Sequence, residues 1–204
     1  MRILTVSAFY ESHGGGIELV AGALARALAR RGHDCRWAAA GFDRPPNEDA
    51  LMATPLRAFD PAEKRLGLPM PLLAREGRRA LAREVDRADA VIVHDALYAS
   101  SVLAARRARR LRKPWALIQH IGPIPYKNVL LRAALAGANR LVTRRLLGKA
   151  SQAVFISDGV RAHFRDARFA ARPMLLFNGV DQAVFGLASD GKRERVRRTL
   201  GFDS

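Results

Sequence analysis

Several short apolar runs in this chain are closely followed by a residue that could do chemistry. Ile3 to Val6 leads to Ser7, Ala90 to Val93 to the pair His94 and Asp95, and Trp115 to Ile118 to His120. Ala153 to Ile156 leads to Ser157, and Met174 to Phe177 to Asn178 and Gly179. An imidazole titrates near neutral pH and a carboxylate accepts hydrogen bonds from hydroxyls, so such a set suits a polar ligand better than an apolar one. His120 differs from the others because Ile121-Gly122-Pro123-Ile124-Pro125 follows it, and two prolines stiffen that loop. The plain structural reading is that polar residues end strands because loops face water. It is the stronger reading for Ser7 and Ser157 taken singly, and it stands level with a functional one for His120.

A second feature is Gly14-Gly15-Gly16 ahead of Ile17-Glu18. Glycines let a backbone approach a ligand closely, and the free N–H groups at a helix start favour phosphate. A dinucleotide fingerprint needs Gly-x-Gly-x-x-Gly directly after the strand, yet Leu19 takes the third position and Ala8 to His13 intervene. Nicotinamide and flavin binding are therefore not expected, and a P-loop fails as well, since no Gly-Lys-Ser/Thr follows. The other reading of the triplet is a turn that merely reverses the chain. Cys35 is the only cysteine, so neither an internal disulfide nor a multi-cysteine metal site can form. No metal and no cofactor is expected.

Positioning these residues requires strands alternating with helices. The five apolar runs read as buried strands, Cys35 to Ala40 as a weaker sixth, and Leu51 to Leu56 as a doubtful seventh broken by Pro55. Between them the period becomes helical. Ile17, Val20, Ala21, Leu24 and Leu28 share one face of a helix from about Ile17 to Arg31, with Gly32 at its C-terminal end. Similar patterns span Leu72 to Arg87, Leu97 to Leu111 and Val129 to Leu147. This alternation predicts an α/β fold, a Rossmann-like doubly wound parallel sheet with helices on both faces. Strand ends in such a sheet converge on one edge, where ligands bind. A short basic helix from Lys192 to Leu200 ends the chain, Asp190 placed to cap it and Gly201 to close it, and it has little to pack on.

The chain has 204 residues and 35 Lys plus Arg against 19 Asp plus Glu, a formal net charge of +16. A compact chain of this length buries about 70% of its unfolded surface, enough for a real core. The charge is concentrated: no carboxylate occurs between Asp95 and Asp158, where Arg106, Arg107, Arg109, Arg110, Arg112 and Lys113 crowd together. Such a field attracts phosphates. Its aromatics, Tyr98, Trp115, Tyr126 and Phe155, are too sparse for a stacking platform and no DNA-binding motif is recognisable, which makes nucleic acid the minority reading. No apolar run approaches the ~18 residues of a membrane span, and the first residues are too brief for a signal-peptide core, so a cytoplasmic location is expected. Leu66 to Arg87 mixes leucines with arginines in a pattern that suits an anionic membrane surface, or equally a packed helix with a solvated basic face.

Taken together, Gly15-Gly16-Ile17-Glu18 after the opening strand, the helix end Leu28-Ala29-Arg30-Arg31-Gly32-His33, and Asn178-Gly179-Val180-Asp181 with Phe185 resemble the N-terminal domain of family 4 retaining glycosyltransferases. The resemblance runs from Met1 to about Phe185. It implies the N-terminal half of a GT-B architecture, two facing Rossmann-like domains, with residues 1–185 as the acceptor-side domain and 186–204 leading into a second domain that carries most of the donor site. It further implies that Gly15 and Gly16 face the diphosphate of a nucleotide-sugar donor, and that catalytic His120 lies near the transferred sugar. Asn178, Gly179 and Asp181 then sit at the interdomain hinge. His94, Asp95 and Ser157 become candidates for sugar or acceptor binding. Two departures stand out: Glu11-Ser12-His13 replaces the commoner proline before the glycines, and Ile121 replaces a frequent acidic residue after His120. The expected reaction is transfer of a sugar, with retention, from a nucleotide diphosphate sugar to a carbohydrate or lipid-linked acceptor, this chain alone being inactive. The enzyme would work in the cytoplasm or at the inner face of the membrane. The alternative is a non-catalytic Rossmann-like module that binds a phosphorylated sugar or a partner protein.

Overall fold

The computed structural model describes residues 1–42, 44–46, 48, 51–61, 63, 69–123, 125–180 and 190–202. Its centre is a seven-stranded parallel sheet. The strands are β1 (Arg2–Val6), β2 (Asp34–Ala40), β3 (Leu51–Leu56), β6 (Ala90–His94), β7 (Trp115–Gln119), β8 (Gln152–Phe155) and β9 (Met174–Leu175), in the order β3-β2-β1-β6-β7-β8-β9. The short strands β4 (Ala58–Phe59) and β5 (Leu72–Leu73) pair antiparallel beside it. The order reverses between β1 and β6, and a doubly wound sheet opens its ligand crevice at such a switch point.

The doubtful Leu51 to Leu56 is a true strand at the sheet's edge, where Pro55 has no ladder to break on its outer side. The expected helix at Ile17 is α1 (Gly16–Arg30), ended by Gly32 in the left-handed region at φ 83°. The helix read from Leu72 begins later, as α2 (Arg75–Arg87), because Leu72 and Leu73 are spent on β5. Then come α3 (Ala99–Arg110), α4 (Val129–Ala138), a π-helical segment (Asn139–Thr143), α5 (Arg144–Leu147) and α6 (Asp158–His163). The terminal basic helix is α7 (Asp190–Thr199), and its described side chains are exposed, as the thin apolar face implied.

Alternation along the strands divides the core between the two faces. Val91, Val93, Leu117 and Phe155 join Leu81, Val85, Ala104, Leu147 and Phe164 on one side. Ile3, Trp37 and Leu51 join Ala21, Ala25 and Tyr10 on the other. Leu81 and Val85 of α2 are buried in the first cluster. Within the Leu66 to Arg87 segment, α2 is therefore a packed helix with a solvated basic face.

Ser7 works inside this core. Its Oγ accepts from Trp37 Nε1 at 2.8 Å and donates to the Phe9 carbonyl at 2.7 Å, all three residues being buried. Ser7→Ala would strand the indole N–H, so the urea midpoint should drop by an amount equal to about 1–3 kcal/mol. A loss under ~0.5 kcal/mol would mean that water replaces the hydroxyl.

Candidate functional site

The registers of β6 and β7 bring the two histidines together. His94 pairs with Ile118 across the strands, and His120 lies two residues further along on the same face. The outcome is a contact of 3.0 Å between His94 Nδ1 and His120 Nε2, both residues being buried. Burial pushes the His94 imidazole down to about 3, with the neighbouring His120 adding to the effect, and burial alone takes His120 down to about 4. Both rings are thus neutral at physiological pH and share one hydrogen. Nε2 of His94 has no partner among the described residues. A buried orphan N–H is rarer than a buried orphan acceptor, so Nε2 is the bare nitrogen and Nδ1–H of His94 is the donor. His120 then keeps its own hydrogen on Nδ1, as a donor.

Asp95 turns the chain out of β6 in the left-handed region, at φ 62°. Its carboxylate accepts from Gln119 Nε2 at 3.1 Å and from the Ile121 amide at 2.9 Å, while its own N–H donates to the Ile118 carbonyl at 2.9 Å. Burial raises its pKa above the ordinary carboxylate range and these donors oppose the rise. Asp95 therefore ties the loop after β6 to the loop after β7 and fixes the backbone on either side of His120.

At the head of α1, Gly15 is the N-cap and Gly16 the first helical residue. The two are not equivalent. A methyl group on Gly15 would strike the carboxylate of buried Glu18, whereas one on Gly16 would meet nothing within 4 Å. The helix start at Gly16 is the place where an anion could approach the backbone.

Beyond Asp95 opens a cavity of about 550 Å³. Met70, Leu97, Ile121 and Leu135 give it apolar walls, and Arg132, Arg140, Arg144, Asn139, Tyr98 and Tyr126 bring polar groups to it. Of the candidate site residues named from the sequence, Asp95 belongs to its described lining, as do Ile121, Gly122 and Pro123 of the loop after His120, whereas His94 and His120 do not. Ser157 caps α6 by accepting from the Val160 amide at 3.2 Å. Asn178 and Gly179 are exposed beyond the edge strand β9, and Asp181 lies outside the described residues. No group of three or more metal-binding side chains occurs among the described residues. The cavity arginines were legible only as members of the acid-free stretch: their common aim depends on a π turn that no helical period announces.

This architecture, a Rossmann-like half-domain whose strand order reverses between β1 and β6, is that of GT-B glycosyltransferases. The Alr3699/HepE protein of Anabaena, solved with UDP-glucose, superposes with a TM-score of 0.63 at 15% identity, over 98% of this chain and 50% of that one. Sucrose-phosphate synthase of Thermosynechococcus elongatus superposes at 0.60 and 14% identity, over 100% of this chain and 53% of that one. The chain thus spans about half the length of both. No curated protein matches it by sequence. A family model described as Glycosyltransferase Family 4 matches residues 14–184, and the chain belongs to that family.

Proposed function

We propose that this chain is the acceptor-side half of a retaining glycosyltransferase that moves a sugar from a nucleotide diphosphate sugar to an acceptor. The observation that carries the reading is the open backbone at Gly16, at the switch-point end of the sheet, with the cavity bordered by Asp95 at the ends of β6 and β7. The leaving diphosphate gains charge as the glycosidic bond breaks, and the N–H groups and dipole at the start of α1 stabilise it there. His120, fixed by His94 and flanked by the Asp95 hydrogen bonds, presents a neutral imidazole toward the sugar. A second domain, entered through residues 186–204 with Asn178, Gly179 and Asp181 at the hinge, supplies the rest of the donor site. No cofactor and no metal takes part in this scheme. HepE was solved with UDP-glucose, which makes uridine nucleotide sugars the first donors to test.

The test is to incubate the full native gene product with nucleotide sugars and a range of acceptors. Release of nucleoside diphosphate should depend on acceptor, and the product should keep the donor's anomeric configuration. Binding without turnover would favour the non-catalytic module; an inverted product would overturn retention.

We also place the enzyme at the inner face of an anionic membrane. No helix among the described residues is long and apolar enough to cross one. The support is α4, where Val129 and Leu130 are 63% and 81% exposed and Lys127 and Arg132, close by in the chain, are exposed too. The protein should sediment with anionic vesicles and not with zwitterionic ones, and Leu130→Glu should weaken that at least tenfold. Equal sedimentation with both would sink the idea.

A further inference from the structure

The cavity beside Asp95 carries positive charge without internal compensation. Arg132, Arg140 and Arg144 reach it from one helical stretch, and none of them forms an ion pair with a carboxylate among the described residues. The π segment Asn139–Thr143 matters for this arrangement. In a regular α-helix Arg144 would sit about 120° round the axis from Arg132. A π turn rotates the chain less per residue and takes back much of that drift, so that both ends of the stretch address one cavity. Within the turn, the Thr143 hydroxyl donates to Asn139 Oδ1 at 2.9 Å, which leaves the amide NH2 of Asn139 free to donate into the cavity. His163 adds a ring from α6. The one carboxylate among the described lining residues, Asp95, is already committed to Gln119 and Ile121. Met70, Leu97, Ile121, Pro123 and Leu135 add apolar surface to the same lining.

A cavity that joins such donors to aliphatic side chains suits a ligand that is anionic at one end and apolar along its body. We infer that the acceptor is held here by a phosphate or diphosphate group, gripped by Arg132, Arg140 and Arg144, with its apolar portion along Met70, Leu97 and Leu135. Planar guanidinium groups suit phosphate oxygens because they donate in pairs. The inference rests on the glycosyltransferase reading for the word acceptor; the binding chemistry itself does not.

The experiment is a calorimetric titration of the full native gene product with geranyl phosphate, geraniol and glucose 1-phosphate. Geranyl phosphate should bind at least tenfold more tightly than geraniol. Arg140→Gln/Arg144→Gln should remove that preference, whereas Arg145→Gln, equal in kind of charge loss but outside the cavity, should leave it intact with an unchanged melting temperature. Tighter binding of geranyl phosphate than of glucose 1-phosphate assigns the phosphate to a lipid-linked acceptor, and the reverse order to a soluble phosphorylated sugar. Two results would overturn the inference: a phosphate preference that survives the double substitution, or one that Arg145→Gln lowers as much. Arginine-dependent phosphate binding without sugar transfer would sink the glycosyltransferase reading and keep the site. Transfer to phosphate-free acceptors, indifferent to the double substitution, would do the opposite.

Discussion

Gly16→Val should reduce sugar transfer by the full native gene product by about a hundredfold or more while leaving its stability within ~1 kcal/mol. The two halves of this expectation have separate physical grounds. A side chain at Gly16 enters open space and the residue is not in the left-handed region, so the fold has no reason to object. The added methyl groups would stand where a diphosphate must come against the backbone N–H groups, and losing one such donor costs about 10²–10³ in rate. Gly16→Ala should fall between. The neighbouring position is a poor probe, because Gly15→Ala displaces the Glu18 carboxylate and disturbs the helix start itself. Assays of nucleoside diphosphate release, with melting curves alongside, decide the matter. Full activity in Gly16→Val would remove the phosphate role from this loop.

The second large effect is on stability against pH. An unfolded histidine takes up its proton near 6.5, whereas His120 and His94 in the fold resist until about 4 and about 3. Their folded values are depressed, so between those limits the unfolded state binds more protons and stability is lost as pH falls below 6.5. Each histidine should contribute a slope of about 1.4 kcal/mol per pH unit in that window. Asp95 works in the opposite sense. Its raised value gives stability at low pH that is lost as pH rises through the folded value. His94→Asn leaves Asp95 in place and removes one titrating ring, so urea midpoints measured from pH 7 to pH 5 should fall less steeply than in the parent by about one histidine's share. Parallel curves would show that the pair is solvated and titrates normally.

Much of this architecture was readable in advance, and the unreadable parts have definite causes. The runs at Val6, Val93, Ile118 and Phe155 announce themselves because strands buried on both faces are continuously apolar. The position of His120 at a strand end follows from the same pattern. Its partnership with His94 does not, since it arises from the register of β6 against β7 and registers lie between segments, not within them. The role of Ser7 was hidden for a similar reason: its partner Trp37 sits on another strand. Helix starts shifted where leucines had a second use, as at Leu72 and Leu73. The cavity escaped because its arginines look, in a one-dimensional reading, like any solvated basic face.

The π segment has a consequence for the history of the site. A π turn is what an α-helix becomes when it accommodates an extra residue without losing its ends. Removal of one residue between Asn139 and Thr143 would restore the regular helix and still leave Arg132 only about 20° round the axis from Arg144, because eleven steps of about 100° nearly complete three turns. Both outer guanidinium groups would then keep to the cavity, along with the sheet, the histidine pair and the glycine turn. A single codon could thus be gained or lost within this helix without moving its two ends, so the extra residue reshapes the cavity wall locally.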